Sequence, residues 1–502
     1  MSALAQQSGL SAICSLRGVV LAALAYSAVN AIITLAAGPA LALDDVKLNV
    51  LAQSLQGGYL PDNPPLFEWM LVAVQRLTGP TLASFAIVKY FLLTVTAAFT
   101  FLAVREATGD RTIATVAALL LPLIPQIGWS FHQTLTHSTA LIAAVAVFWF
   151  ALLRLARTRT VSDYAILGIA IGLGALSKYS FPGAAAIAIA AAAAVSPWLR
   201  AGVINPRLAV SLIVAVLIAS PHIAWLLSSD VAIGDMTRAR LVGGAEYLSR
   251  LGEGLPAALW AVISFFAPLG AVSFGVDRSP LRIARGSASA LFVNATVLAI
   301  AALACGVLVF GVTNIQERYA IAFLYPGYLG LIILVFRTRP AEHLAPTLLA
   351  FSLVVAVTAA AVRTAAVLRP GAPFCSKCRE QIPYDSLAAA LGDVDGTLVS
   401  FDDHTAGNLR RLYPSLRILS SHLPLYTPPV IDGSGRCFFI WSADLSPPPP
   451  PGVTTALTTS ALFHASGVWR KTMNGEPQAR ATHWSIATVD PASELGNSLC
   501  RQ

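Results

Sequence analysis

The sequence predicts an α-helical polytopic membrane protein with about eleven spanning helices, followed by a small α/β domain. Two observations support this fold class. The 502 residues are 56% hydrophobic and only 12% charged, whereas a soluble domain carries about 25% charged residues. Apolar runs of about 18–25 residues, each long enough to cross ~30 Å of hydrocarbon, recur through the first three quarters of the chain.

The predicted spans follow one another between residues 17 and 367. A shorter apolar segment, 64–78, is predicted to lie along the membrane interface instead of crossing the bilayer. We place the spans at residues 17–37, 82–104, 112–129, 137–154, 163–178, 180–197, 208–227, 256–275, 288–311, 319–336 and 344–367.

The composition changes at Pro370, where Asp, Ser and Pro replace the runs of Ala, Leu and Val. This change divides the chain into a membrane body, 1–369, and a C-terminal domain, 370–502. Residues 397–401 and 437–441 are predicted to be buried strands, with a short helix at 405–412 between them. The cluster Asp402-Asp403-His404 is expected to form a solvent-facing turn.

Basic residues are distributed unequally between the loops on the two sides of the membrane. One set of loops holds most of the arginines, which predicts that this side is cytoplasmic. The N-terminus is then cytoplasmic, and an odd number of spans places the C-terminal domain in the periplasm of a bacterial inner membrane. The net charge of +8 follows mostly from this bias and does not imply a nucleic-acid partner. The arginines concerned are Arg105, Arg111, Arg154, Arg157, Arg159, Arg200, Arg207, Arg278, Arg282, Arg285, Arg337 and Arg339.

Two alternatives concern processing and the cysteines. The first span, with Arg17 at its start and Ala40-Leu41-Ala42 after it, also resembles a cleaved secretory signal.

Four cysteines, Cys375, Cys378, Cys437 and Cys500, fall in the predicted exported domain, where one or two disulfides are expected. The Cys375-x-x-Cys378 pair leaves a redox or zinc site open as the other interpretation.

Ionisable residues beside the membrane are the candidates for chemistry, because charges near the bilayer are costly and tend to be functional. In the predicted topology they share the outer face. The first outer loop, 38–81, is the densest, with the adjacent pair Asp44-Asp45 after the first span and Asp62 before Pro64-Pro65. Helix capping is the alternative role for the pair. Further candidates on this face are His132, His137, Lys178, Glu317 and Arg318.

Four segments in this order resemble the glycosyltransferase 39 family, which includes protein O-mannosyltransferases and bacterial aminoarabinose transferases with the GT-C fold. They are the acidic pair Asp44-Asp45, the segment Asp62-Asn-Pro-Pro-Leu-Phe67, the turn Gly172-Leu-Gly-Ala-Leu-Ser-Lys178-Tyr179, and Arg318-Tyr319 followed by Pro326. The resemblance implies a GT-C transmembrane domain and transfer of a monosaccharide from a polyprenyl-phosphate donor to a lipid, glycan or protein acceptor.

The resemblance also implies roles for individual residues. Asp44 is expected to act as general base, with Asp45 supporting it, while Lys178 and Arg318 bind the donor phosphate. A divalent metal is possible in such a site, with Asp45, Asp62 and His132 as candidate ligands. Substrate-binding candidates are Tyr59, Asp62, Asn63, Tyr179 and Glu317.

This chain departs from the aminoarabinose transferases at one position. It has Asp62-Asn63 where those enzymes carry Glu-Lys before the two prolines, so the donor sugar is left open. For Lys178, snorkelling to lipid headgroups is the alternative, and for Arg318 it is an ion pair with Glu317. A transporter or flippase of a lipid-linked envelope precursor is the alternative function.

Overall fold

The structure, a computed structural model, describes residues 14–133, 135–229, 238, 241–243, 246–276, 286–337, 341–371, 373, 378–429, 436–445, 461–473, 476–490 and 500. Several residues named in the sequence analysis lie outside these ranges, among them Cys375, Arg278, Arg282, Arg285 and Arg339. The protein is mostly helical, as predicted, with a small sheet near its C-terminus.

Fourteen helices of seven or more residues precede the sheet domain in the described part of the chain, and α2 and α3 belong to the first predicted outer loop. A 3₁₀ turn (Leu121–Leu123), a π-helical turn (Gln126–Ser130) and a short helix (Phe131–Gln133) lie between α5 and α6. In chain order the helices are α1 (Leu16–Leu35), α2 (Asp44–Leu51), α3 (Leu66–Thr78), α4 (Leu82–Thr108), α5 (Arg111–Leu119), α6 (Thr136–Thr158), α7 (Val161–Ser177), α8 (Phe181–Val195), α9 (Pro197–Val203), α10 (Leu208–Ser228), α11 (Tyr247–Val276), α12 (Ala288–Phe310), α13 (Glu317–Val335) and α14 (Ala341–Leu368).

Eight helices in the described residues are long and apolar enough to cross a membrane: α1, α4, α6, α10, α11, α12, α13 and α14. A bent pair of helical segments, 111–123 and 126–133, adds a ninth span if the two halves cross together. The remaining two predicted spans correspond to α7 and α8, which are apolar but only 17 and 15 residues long. A multi-pass membrane protein is thus confirmed, and the number of eleven spans stays a prediction.

Helix α7 packs tightly against α10 because two glycines lie at the contact. A β-carbon on Gly168 would come within 2.6 Å of the Ser211 carbonyl oxygen, and one on Gly172 within 2.9 Å of Ile218. Small residues allow such close helix approach in membranes, where packing replaces the hydrophobic effect as the driving force. The Ser211 hydroxyl adds a 2.6 Å hydrogen bond to the Tyr164 carbonyl. This contact fixes α7, at whose C-terminus Lys178 lies.

The C-terminal sheet has five strands in the order β2-β1-β3-β5-β4. Strands β1 (Thr397–Ser400), β2 (Arg417–Ser420) and β3 (Cys437–Trp441) are parallel, and the hairpin of β4 (Ala461–Met473) and β5 (Glu476–Val489) joins antiparallel to β3. Two helices accompany the sheet, α15 (Tyr384–Leu391) and α16 (Asp403–Leu412). The predicted strands at 397–401 and 437–441 and the helix between them are confirmed.

The Asp402-Asp403-His404 cluster does not form the solvent-facing turn that we expected. Asp402 and His404 are each 3% exposed. The Asp402 carboxylate caps α16 by accepting a 2.7 Å hydrogen bond from the Thr405 amide, and His404 Nδ1 lies 2.6 Å from the Tyr384 hydroxyl. The cluster is buried because it begins the helix that follows β1 and packs beneath α15.

Three of the described cysteines in this domain are disulfide-bonded. Cys437, at the start of β3, is bonded to Cys500, and Cys378 is also disulfide-bonded. The prediction of one or two disulfides is confirmed. Cys378 therefore does not offer a free thiolate for zinc.

The chain forms two compact units. The first comprises Met1–Ala28, Pro61–Leu66 and Lys89–Ala359, and the second comprises Val29–Leu60, Phe67–Val88 and Ala360–Gln502. The acidic pair Asp44-Asp45 thus belongs to the same unit as the C-terminal sheet. The sequence-based boundary between residues 369 and 370 stays a prediction.

Candidate active site

The acidic pair occupies the first turn of α2. Asp44 is exposed and Asp45 is half-buried. The residue at the N-cap position is Leu43, which makes no side-chain capping bond, so helix capping is not the role of either aspartate. Two carboxylates at a helix N-terminus lie where the helix dipole favours negative charge. An exposed carboxylate at this place is suited to accept a proton.

The backbone directly before Asp44 is strained. Leu43 has φ 55° and ψ −130°, a conformation that non-glycine residues rarely adopt. Holding a leucine there costs about 1–3 kcal/mol, and such strain persists where the surrounding structure enforces it, often at functional sites. The direction in which Asp44 leaves the chain is therefore set by its neighbours and not by local preference.

One residue of the first outer loop, Tyr59, is buried and hydrogen-bonded within the protein, although we expected it to bind substrate. Tyr59 is 1% exposed, and its hydroxyl donates a 2.7 Å hydrogen bond to the Ser54 carbonyl. Burial raises the pKa of Tyr59 above its usual value. This favours a packing role for Tyr59. Asp62 and Asn63 are half-buried and precede Pro64-Pro65, after which α3 begins.

Lys178 lies at the C-terminal end of α7 and turns toward other protein groups. Its ammonium donates a 2.9 Å hydrogen bond to the Ser138 hydroxyl and lies 5.0 Å from the centre of the Tyr319 ring. Both contacts are with residues of neighbouring helices. The alternative of snorkelling to lipid headgroups does not fit these contacts.

Arg318 lies in the first turn of α13 and faces the same tyrosine. Its guanidinium carbon is 5.4 Å from the centre of the Tyr319 ring. The Nε–H group is buried without a hydrogen-bond acceptor. No ion pair joins Arg318 to Glu317 among the ion pairs of the described residues, so the alternative role for Arg318 is not what the structure shows. A buried guanidinium N–H without an acceptor costs free energy unless an anion is supplied.

Tyr319 therefore gathers two cations around one ring. An aromatic face attracts ammonium and guanidinium groups, which offsets the repulsion between the two positive charges. The lysine ammonium supplies a compact positive charge and the arginine guanidinium a planar set of N–H donors, and both kinds of group bind phosphate esters well. Tyr319 is part of the Arg-Tyr motif, but no pattern in the sequence indicates that its ring is shared by Lys178 and Arg318.

A second aromatic group follows Lys178. The Tyr179 hydroxyl lies 3.1 Å from His222 Nε2, and the two rings stack. Trp225 also stacks on His222, with its ring 5.7 Å from that of the histidine. This arrangement occupies the Tyr179 hydroxyl, and it connects α10 to the turn that carries Lys178. His222 and Trp225 were not predicted as site residues.

His132, a candidate metal ligand, is enclosed by two tyrosines. It is 1% exposed, with Nε2 lying 2.6 Å from the Tyr26 hydroxyl and Nδ1 3.3 Å from the Tyr90 hydroxyl. Both ring nitrogens are thus engaged in hydrogen bonds. In the part of the chain that the structure describes, no group of three or more His, Cys, Asp or Glu side chains could hold a metal ion. Among the described residues, the structure therefore offers no set of ligands for the predicted metal ion.

Comparison with known proteins gives consistent matches. Residues 62–225 match the profile of the dolichyl-phosphate-mannose-protein mannosyltransferase family. The lipopolysaccharide core galacturonosyltransferase RgtA of Rhizobium johnstonii is 28% identical, over 88% of this chain and 90% of that protein. The galacturonosyltransferase RgtB of the same organism is 29% identical, over 80% and 83%.

The fold also has a solved counterpart. The crystal structure of ArnT from Cupriavidus metallidurans bound to undecaprenyl phosphate matches with a TM-score of 0.59 and 13% identity, covering 94% of this chain and 98% of that chain. The likeness in fold spans both the membrane helices and the C-terminal domain. Since the relatives named above are transferases, the enzyme interpretation is favoured over the transporter alternative. The chain is a membrane glycosyltransferase with the GT-C fold.

Proposed function

We propose that this enzyme transfers a galacturonosyl residue from a polyprenyl-phosphate carrier to the core of lipopolysaccharide at the periplasmic face of the inner membrane. The observation that carries the lipid-phosphate part is the pair of cations, Lys178 and Arg318, around the ring of Tyr319. The sugar and the acceptor are proposed from the similarity to the two core galacturonosyltransferases.

The reaction is a direct displacement at the anomeric carbon of the donor. A hydroxyl oxygen of the acceptor forms the new bond to C1, the bond between C1 and the phosphate oxygen breaks, and the polyprenyl phosphate departs with the bonding electrons. The hydroxyl proton passes to the carboxylate of Asp44, which is exposed at the start of α2. General-base assistance of this kind contributes about 10²–10⁴ in rate. One displacement inverts the anomeric configuration.

The leaving phosphate gains negative charge as the bond to C1 breaks. Lys178 and the unpaired Nε–H of Arg318 supply donors that stabilise this charge. Asp45 would orient the acceptor hydroxyl beside Asp44, and Asp62 with Asn63 would contact the sugar.

The test is the composition of the lipopolysaccharide core in a strain that lacks the gene. Complementation with the wild-type chain should restore a core species heavier by one or more hexuronic acid residues, measured by mass spectrometry. Asp44→Asn keeps the size of the side chain but cannot accept the proton, so it should reduce product by at least 100-fold at equal protein level.

Two outcomes would overturn the proposal. Full restoration of the core by Asp44→Asn would exclude Asp44 as the base. A restored species carrying a neutral hexose or an amino sugar would keep the glycosyltransferase but exclude the galacturonosyl donor. Asp385→Asn, a change at an exposed aspartate on α15, serves as the matched control and should leave the product unchanged.

A further inference from the structure

The segment that leads from the first span into α2 is hydrogen-bonded to the C-terminal domain within one compact unit. The Gln381 side chain donates to the Ala37 carbonyl, and the Ala40 amide donates a 3.1 Å hydrogen bond to the Glu380 carbonyl. A β-carbon on Gly38 would lie 2.1 Å from the same Glu380 oxygen. The chain thus approaches α2 along a path that leaves no room for a side chain at residue 38.

Asn408 on α16 forms hydrogen bonds with both backbone groups of Leu41, the residue that follows Ala40. Its Oδ1 accepts a 2.8 Å hydrogen bond from the Leu41 amide, and its Nδ2 donates a 3.1 Å hydrogen bond to the Leu41 carbonyl. The Asn408 side chain is fully buried and Leu41 is 2% exposed. A side-chain amide that pairs with both the N–H and the C=O of one residue fixes the backbone of that residue in position and orientation. The fixed residue lies two positions before the strained Leu43.

Gly407 brings α16 into direct contact with α2. A β-carbon at residue 407 would lie 2.3 Å from the Val46 carbonyl oxygen and 2.6 Å from the Val46 α-carbon. The Asn49 side chain on α2 donates a 2.8 Å hydrogen bond to the Gly407 carbonyl. Because the close atoms belong to the Val46 backbone, no change of side-chain rotamer could accommodate a larger residue at 407.

We propose that Gly407 and Asn408 of the C-terminal domain are positioning residues for Asp44 and Asp45. They clamp the peptide before the strained Leu43 and the first turn of the helix that carries the acids. The domain thereby sets the direction of the carboxylates without contacting the substrate. The role of the positioned groups rests on the proposed function, in which Asp44 is the base.

The experiment measures turnover with polyprenyl-phosphate galacturonic acid, the proposed donor, using the purified full chain in detergent. Gly407→Ala should lower kcat by at least 10-fold and leave the KM for the donor within 2-fold, because Lys178 and Arg318 are unchanged. Asn408→Asp, which keeps one acceptor for the Leu41 amide but loses the donor to its carbonyl, should lower kcat less, by about 3–10-fold. Gly252→Ala is the matched control, since that helical glycine has no atom within 4 Å of a built β-carbon.

A second measurement reports position independently of catalysis. Val50, fully buried on α2, is replaced by Cys in a chain whose free Cys14 and Cys305 are replaced by Ser. Maleimide should label this thiol at least 10-fold faster in Gly407→Ala and Asn408→Asp than in the parent chain, while the Cys437–Cys500 disulfide stays intact on non-reducing gels.

The outcomes separate the inference from the proposed function. Unchanged kcat and unchanged labelling in Gly407→Ala would overturn the inference while leaving Asp44 untouched. Faster labelling with unchanged kcat would show that the clamp holds α2 without serving catalysis, which also overturns it. Loss of kcat that occurs only together with loss of the disulfide would make these residues structural alone. Failure of the proposed function is seen separately, as an active Asp44→Asn chain.

Discussion

At the scale of single residues, the site depends on how charges share partners. Lys178 and Arg318 could be predicted as site residues because each lies at the end of a span, where charges are costly. Their shared contact with the ring of Tyr319 could not be predicted, because the two residues are 140 positions apart and only packing brings their helices together. Similarly, Tyr59 is a candidate because of its place in the loop, whereas in the structure it is buried, with its ring 5.8 Å from that of the distant Tyr426.

The shared ring leads to a prediction on donor binding. Arg318→Met removes a charge-assisted hydrogen-bond donor, worth about 1.5–3 kcal/mol, and should raise the KM for the polyprenyl-phosphate donor about 10–100-fold. Arg318→Lys keeps the positive charge but loses the planar arrangement of N–H donors. Its KM for the donor should therefore lie between the values of wild type and Arg318→Met. Tyr319→Leu should raise the KM by about 5-fold or more through loss of both cation–ring contacts.

The control for these substitutions is Arg436→Met. Arg436 also faces an aromatic ring, that of Phe438 at 5.2 Å, but it lies exposed in the C-terminal domain. The KM of the Arg436→Met variant for the polyprenyl-phosphate donor should stay within 2-fold of the wild-type value. If Arg318→Met behaves like Arg436→Met in steady-state kinetics, Arg318 does not bind the donor phosphate.

At the scale of elements, the sequence predicted what its strongest local patterns specify. Long apolar runs gave the spans, and β1, β3 and α16 followed from short buried strands on either side of an amphipathic helix. The β4–β5 hairpin was not predicted, because polar residues such as Arg470, Lys471 and Arg480 interrupt its apolar positions. Its stability comes from pairing with β3, which is a long-range contact and leaves little local signal.

The start of α16 makes the stability of the C-terminal domain depend on pH. Burial, together with nearby Arg379, lowers the pKa of His404 from 6.5 to about 3. The unfolded chain therefore binds a proton at this histidine between pH 6.5 and 3 that the folded chain does not bind, so stability falls as the pH is lowered through this window. Between pH 7 and pH 5 the expected loss is about 2 kcal/mol.

The measurement is thermal unfolding of the full chain in detergent, followed by tryptophan fluorescence at pH 7 and pH 5. His404→Gln retains a group that can hydrogen-bond to Tyr384 but does not titrate, so its loss of stability over this range should be about 2 kcal/mol smaller. Burial also raises the pKa of Asp402, which acts in the opposite sense, but this contribution is present in both chains. Equal pH dependence of the two chains would contradict the assignment.

At the scale of the whole molecule, the fold class was accessible because the bilayer imposes the same length and polarity on every span. The assignment of acids and cations to one outer face came from the arginine bias of the loops and stays a prediction. The division into units was less accessible, since residues 29–60 join the C-terminal unit through contacts between residues far apart in the chain, such as that between Asn49 and Gly407.

The predicted orientation can be tested by cysteine labelling of cells with a permeabilised outer membrane. Leu55→Cys, in the first outer loop, should react with a membrane-impermeant maleimide, and Arg157→Cys, at the end of α6, should react only after the inner membrane is opened. Both positions are well exposed in the structure, so accessibility to the reagent depends on the side of the membrane. Equal reaction of the two from outside would overturn the orientation. Cys14 and Cys305 are replaced by Ser in both chains.

The bond between Cys437 and Cys500 has a consequence for the order of biosynthesis. It joins β3 to a residue 63 positions later, so it cannot close until the chain has been synthesised to residue 500 and has reached an oxidising compartment. The membrane helices are inserted before that point. If Gly407 and Asn408 set the place of α2, the acids near the beginning of the chain acquire their working geometry only when the last part has matured. A chain truncated before Cys500 would then remain inactive in the membrane, which ties catalysis to completion of the C-terminal domain.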